Sequence, residues 1–259
     1  MCSTPLREAL FISGAKNAAQ KHFPGVEKKM QEMYTRRGGL YDKEQSEEEY
    51  VKIIETLIDR GANLDARDAK EGCPAIVLAA RHGKAKIIEA LLGHGADVNA
   101  ACTEGLAENT TALVVASVHG DPDTLHTLLA APSCDCRPAQ AGFTAVILAA
   151  HLGRNEALEI LAESKKCDLD AAMGEEAGNA EGKTAAHHCA ENNQWECIDI
   201  LGRHGANLDV TDKWGQTPHH AALYFKYDKV LEALERHGAQ WSPPPELPPV
   251  GAEGREPEL

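Results

Sequence analysis

His187, His188, Cys189, Cys197, His219 and His220 form the densest group of reactive side chains in the sequence. Imidazole nitrogen and thiolate sulfur are zinc ligands, so the group has the chemistry of a metal centre if its members converge to within about 2.3 Å of one ion. Spacing argues against convergence. His187 and His220 stand 33 residues apart at equivalent places in two copies of a repeating segment, on helices that ordinary packing separates by roughly 8–10 Å. Cys134-Asp135-Cys136 is too tight for a paired zinc motif, and no Cys-x-x-Cys occurs for redox chemistry. Glycine-rich phosphate loops and a Gly-x-Ser-x-Gly nucleophile elbow are absent from the sequence. The expectation is a non-enzymatic chain with no catalytic residue, metal or cofactor; a zinc site in the last two repeats is the less favoured alternative.

The elements that must position these residues recur along the chain. Pro74-Ala75-Ile76-Val77-Leu78-Ala79-Ala80 is echoed by segments starting at Thr111, Thr144, Thr184 and Thr217. The intervals are 37, 33, 40 and 33 residues, a period of 33 with loop insertions of four and seven. Each copy is followed by a second segment with apolar residues on one helical face, such as Ala85 to Leu92 or Glu196 to Leu201, which predicts two helices per repeat. The threonines suit helix N-caps and Pro218 the position after one. Gly61, Gly95, Gly205 and Gly238 end the second helices where a left-handed residue is needed, each after a basic side chain that meets the negative end of the helix dipole.

A helix-turn-helix unit of about 33 residues carrying Thr217-Pro218-His219-His220 and Gly-Ala-[Asn/Asp] signatures resembles the ankyrin repeat. The resemblance implies an all-α solenoid of about six repeats with hairpin-like finger loops. The chain divides as an irregular first repeat with an insertion (1–67), five further repeats (68–241) and a proline-rich tail (242–259). Thr4 to Leu10 resembles a further first helix, and 15–48 forms the insertion. The family's motif histidine hydrogen-bonds between neighbouring repeats, which implies that role for His187 and His220. Val77, Val114 and Ile147 replace it with apolar packing. Repeats three and four lack the closing glycine, at Ala131 to Cys136 and at Glu163 to Cys167, and irregular stacking is expected there. Leu91 to Asn99 is similar to segments that asparaginyl hydroxylases modify in some ankyrin repeats; the favoured role of Asn99 is to hold its own turn.

Composition sets limits on partners. Lys and Arg number 26 against 40 Asp and Glu, a formal charge of −14, which argues against nucleic acid and for a basic protein partner. Aromatics are only 5% of residues, so Ala, Leu, Ile and Val must fill a closely packed helical core. The longest apolar stretch is far short of the roughly 20 residues of a membrane span, and the N-terminus reaches charge too early for a secretory signal. A cytoplasmic or nuclear monomer that touches neither membrane nor nucleic acid is expected, with its eight cysteines reduced and mostly buried as small hydrophobes.

The resemblance implies a scaffold or adaptor that binds another protein on the face made by the fingers and first helices, with a regulatory or inhibitory subunit of an enzyme as the alternative. The positions that vary in the family fall here on Phe143, His151 and Leu152 in repeat four, and on Glu181, Lys183, Glu191 and Asn192 in repeat five. In repeat six they fall on Trp214, Gln216, Tyr224 and Phe225, an aromatic group that serves either as a binding anchor or as an end cap. Earlier repeats contribute Glu71, Cys73, Arg81, His82, Thr110, Val118 and His119. Glu104, Glu108, Glu175, Glu176 and Glu181 place negative charge on the finger loops, where it would steer a basic partner. Tail residues Pro245-Glu246-Leu247-Pro248 form a Pro-x-x-Pro stretch, read as an unstructured tail with a Src-homology-3 ligand as the alternative.

Overall fold

The computed structural model describes residues 47–69, 71–103, 109–136 and 142–240. Those residues form eleven α-helices and no strand. The helices are α1 (Glu47–Asp59), α2 (Ala75–Arg81), α3 (Ala85–Gly93), α4 (Ala112–His119), α5 (Pro122–Ala130), α6 (Ala145–His151), α7 (Asn155–Glu163), α8 (Ala185–Glu191), α9 (Trp195–Arg203), α10 (Pro218–Phe225) and α11 (Asp228–Arg236). The chain forms two compact units, one up to Asp168 and the other from Leu169. Thr4 to Leu10, the 15–48 insertion apart from its last two residues, Glu104, Glu108, Trp241 and the tail lie outside the described residues.

In the first unit α1 packs on α3, α3 on α5 and α5 on α7, while α2, α4 and α6 pack in a second row. In the second unit α8 packs on α10 and α9 on α11. This stacking of helix-turn-helix repeats is the expected solenoid pattern. Among the described residues, the largest fully buried side chains are aliphatic, from Ile76, Ile88 and Leu91 through Leu125, Leu128 and Leu158 to Ile198, Leu201 and Leu234. Small residues such as Ala80, Ala116 and Ala150 are wholly buried beside them, as a helix stack with few aromatics requires.

Capping follows the sequence. Thr144 Oγ1 accepts from Ile147 N at 3.1 Å, and Thr111 Oγ1 from Val114 N at 3.4 Å. Thr184 and Thr217 form reciprocal capping boxes with His187 and His220. Gly61, Gly95, Gly205 and Gly238 all take left-handed φ values between 81° and 89°. Repeats three and four depart from this pattern. α5 ends in an extended Ala131, and α7 is followed by Lys165 in the left-handed position that glycine takes elsewhere.

The loops compensate. Lys166 Nζ donates to Leu129 O at 2.6 Å and Ala131 O at 2.8 Å, so a lysine of repeat four satisfies carbonyls at the open end of the α5 helix in repeat three. Asn99 Nδ2 donates to Ser133 O at 2.7 Å and its Oδ1 accepts from Asp135 N at 2.9 Å. The turn around Asn99 is held instead by Asp97, whose carboxylate accepts from Asn99 N. Asn99 therefore ties one repeat to the next, which corrects the expectation that it serves its own turn.

A second correction concerns the cysteines. Three disulfides join Cys73 to Cys102, Cys136 to Cys167 and Cys189 to Cys197, with Cα separations of 4.1, 5.1 and 5.8 Å. Among the described residues only Cys134 is a free thiol. The sequence-based expectation was of reduced thiols. Stacking at a 33-residue period superposes equivalent loop positions, and the first two pairs, 29 and 31 residues apart, arise in that way.

Candidate partner-binding site

In the second unit the seven-residue insertion before repeat five becomes a long finger. Met173 N donates to Lys183 O at 2.9 Å and Gly182 N to Met173 O at 2.8 Å, and a short 3-10 segment, Glu175–Ala180, closes the tip. Met173 is buried against His188, whose Nε2 lies 3.4 Å from its sulfur. The next finger turns on Asp212, whose carboxylate accepts from Trp214 N and Gln216 N, both at 2.9 Å. Lys213 N donates to Glu181 O at 3.1 Å, which seats one finger on the other. Gly182 permits this approach: its φ is +80°, and a Cβ there would sit 2.8 Å from Lys213 N.

The histidines are part of this framework. Thr184 N–H donates to His187 Nδ1 at 3.1 Å, so that nitrogen is the acceptor and the proton resides on Nε2, which donates to Gln216 O at 2.9 Å. One neutral imidazole thus caps α8 and bonds to the finger of repeat six, the inter-repeat role expected for it. Burial pushes its pKa below the ordinary value, opposed by the Gln216 hydrogen bond and the carboxylates of Asp212 and Glu191, with Lys183 adding to the depression. His220 Nδ1 accepts from Thr217 N at 2.9 Å in the same manner. His219 is buried too, and burial lowers its pKa against the raising effect of Glu235 and Asp209. Cys189 is joined to Cys197. Among the described residues no three His, Cys, Asp or Glu side chains gather as a metal site.

The candidate contact residues divide into two kinds. Lys183 forms an ion pair with Glu191, Glu181 lies 3.8 Å from Lys213 Nζ, and Asn192 Nδ2 donates to His188 O at the end of α8. These polar groups are engaged within their own unit. The aromatic residues are not covered: Tyr224 is 73% exposed, Trp214 50% and Phe225 47%, with Leu223 at 42% beside them. Trp214 and Gln216 lie on the finger and Tyr224 and Phe225 at the far end of α10, so the group is two clusters separated by the length of an eight-residue helix, about 12 Å. Phe225 meets Tyr224 edge-on, with centroids 5.0 Å apart, and stacks on Tyr227 at 5.5 Å. In the first unit Leu152 is 42% exposed just beyond α6, His151 is exposed and Phe143 half-buried.

Sequence reasoning missed one part of this surface. Trp195 opens α9 on the turn between the helices of repeat five, and Lys229 Nζ lies 5.9 Å from its ring centroid. Lys226 is exposed on the equivalent turn of repeat six, with a left-handed φ of 59°. The signal was present: the residue opening the second helix is Ala85, Pro122, Asn155 and Asp228 in other repeats, and Trp only at 195.

The family model described as "Ankyrin repeats" matches three times, over residues 45–140, 77–173 and 169–243. The human protein "SH3 and multiple ankyrin repeat domains protein 2" is 31% identical over 187 residues, covering 72% of this chain and 10% of its own length. Human "Neurogenic locus notch homolog protein 2" is 33% identical over 184 residues, 68% of this chain and 7% of its own. The chain thus spans a tenth or less of those relatives. Among solved structures, the ankyrin repeat domain of Bcl-3, described as a member of the IkappaB protein family, aligns with a TM-score of 0.64 at 25% identity, covering 75% of this chain and 82% of that one.

Proposed function

The chain belongs to the ankyrin-repeat family, and on that premise we propose that it is a non-enzymatic adaptor that binds another protein through the face made by its fingers and first helices. Ankyrin repeats are generally protein interaction modules. The observation that carries the reading is the exposure of Tyr224, Phe225 and Trp214; among the described residues only Leu152 and Leu223 are other large apolar side chains left exposed. Aromatic side chains of this size dominate interface energetics because each covers a large area with few rotors to immobilise. An end cap would hold these rings against other residues, whereas α11 already buries Val230, Ala233 and Leu234 and turns Glu232, Glu235 and Arg236 outward. The partner contacts are assigned to Trp214, Gln216, Tyr224 and Phe225, with Glu181, Lys183, Glu191 and Asn192 as the polar rim. Phe143, His151 and Leu152 form a separate patch on the first unit.

Glu175 and Glu176 on the long finger favour approach by a basic protein, in the cytoplasm or nucleus, to a chain that is itself monomeric. Affinity enrichment from native lysate tests the reading, comparing the intact chain with a Trp214→Ala, Tyr224→Ala, Phe225→Ala variant of unchanged helical content. Recovery of a discrete protein by the intact chain and its loss from the variant is expected. Equal recovery by both would remove these rings from the interface.

A further inference from the structure

The face between finger and first helix is bridged by side chains in repeats two and five and left unbridged in repeat six. In repeat two Glu71, three residues before the N-cap Pro74, meets Arg81, seven residues after it, at 2.6 Å. In repeat five Lys183, one residue before the N-cap Thr184, pairs with Glu191, again seven residues after the cap. Side chains at these places therefore lean toward one another along the first helix. Repeat six has Trp214 three residues before the N-cap Thr217, Gln216 one before it and Tyr224 seven after it. Its two rings do not meet: Trp214 has Lys213 Nζ 4.9 Å from its centroid, and Tyr224 has Phe225 edge-on. Gln216 commits its backbone N–H to Asp212 and its carbonyl to His187, while its half-buried side-chain amide has no partner among the described residues.

The charge around the rings favours a cation. Asp212 is buried in the finger turn, where its Oδ1 accepts from Trp214 N and Gln216 N, and among the described residues no Lys or Arg pairs with it. One repeat back, Glu181 and Glu191 hold the places of Trp214 and Tyr224, and Glu175 and Glu176 are exposed on the same finger as Glu181. Together these carboxylates outweigh Lys183, Lys213 and Lys226. Lys213 is itself tied down, donating to Gly178 O and lying 3.8 Å from Glu181 Oε2. A planar group between two rings needs about 7 Å, twice a van der Waals separation of about 3.5 Å, and the span of about 12 Å along α10 accommodates it when both rings lean inward. Arginine fits such a place better than lysine: its guanidinium is planar, weakly hydrated, stacks on aromatic faces and keeps N–H donors at its edge, whereas an ammonium is a compact, strongly hydrated charge. We infer that Trp214 and Tyr224 are the two walls of a slot for one arginine side chain of the partner, its guanidinium stacked between the rings and donating to the side-chain oxygen of Gln216. This rests on the reading of the aromatic face as the partner site and names the group that the site recognises.

The test selects phage-displayed random peptides of about twelve residues on the full chain and measures the affinity of the synthetic peptides so found by fluorescence anisotropy. A shared arginine is expected, at which lysine, or citrulline with the same shape and no charge, weakens binding about tenfold. Trp214→Ala and Tyr224→Ala should each weaken the arginine peptide about tenfold, and Gln216→Ala about fivefold. On the Trp214→Ala chain the citrulline penalty should shrink to about threefold or less, the coupling that a direct contact produces. Recovery of no peptide, citrulline or lysine binding as well as arginine, or an arginine peptide indifferent to both ring variants would overturn the inference. If one ring variant does not fold, the other and Gln216→Ala decide. Peptides that need both rings but carry no arginine remove this inference and leave the proposed function standing, whereas peptides that bind equally without the rings count against both.

Discussion

His187 carries more of the second unit than a buried imidazole ordinarily would, and removing it tests the repeat stacking directly. Its Nδ1 caps α8 through Thr184 N, and its Nε2–H satisfies the Gln216 carbonyl of the next finger. A His187→Ala change loses a cap contribution of about 1 kcal/mol and leaves a carbonyl unpaired at a cost of about 1–2 kcal/mol, so roughly 2–3 kcal/mol in all. A His187→Gln change keeps a residue that serves at the third position of a capping box but is too short to bond Gln216, so about half of that loss is expected. For a unit of this size each kcal/mol lowers the melting temperature by about 4–8 °C. The pH dependence is a second readout. Burial lowers the folded pKa of His187, so the unfolded chain binds the proton more readily. The stability it contributes is complete above the ordinary imidazole value and is lost as pH falls through it. His219 is shifted in the same direction and adds to the effect. Thermal unfolding at pH 7.5 and 5.5, with hydrogen exchange read over residues 185–225, measures both. A variant that melts within about 0.5 kcal/mol of the parent, or that keeps the parent's full pH dependence, would falsify this account of His187.

Other predictions concern the finger and the glycine-free loops. Gly182→Ala should destabilise the second unit by about 2 kcal/mol, because the new Cβ would press on Lys213 N from a left-handed backbone; urea unfolding measures it. Lys166→Gln should speed amide exchange in the last turn of α5 about threefold to tenfold, since Leu129 and Ala131 lose their charged donor, and exchange indifferent to the change would assign that end another cap. Alkylation of unfolded, unreduced protein should label Cys134 and spare Cys136 and Cys167, while labelling of all three would show that the last two are not joined.

The fold was legible because the ankyrin pattern repeats at almost every level. Thr184 and Thr217 mark helix starts, Gly205 and Gly238 mark helix ends, and the 33-residue interval fixes what stacks on what. His187 was legible for the same reason, because its place in the motif implied its bond across repeats. The Cys73–Cys102 and Cys136–Cys167 pairs were in principle also visible, since equivalent loop positions must meet, yet reduced thiols were expected. Lys166 was not legible. Its role exists only because α5 has no closing glycine and a lysine one repeat later reaches back to the open carbonyls. The division of the aromatic group into a finger cluster at Trp214 and a turn cluster at Tyr224 follows from the length of α10, which the list of variable positions does not reveal. Ion pairing of Lys183 with Glu191 likewise depends on side chains eight residues apart meeting where a finger joins its helix.

The central claim is that partners are engaged at the exposed aromatic surface of the second unit. It is tested most directly by placing the photoreactive residue p-benzoylphenylalanine at Tyr224 and, separately, at Glu232 on the outward side of α11, irradiating each full chain in native lysate. The account predicts a discrete cross-linked protein at Tyr224, reduced by Trp214→Ala, and none at Glu232. A product of equal yield at both positions, or one confined to Glu232, would contradict it.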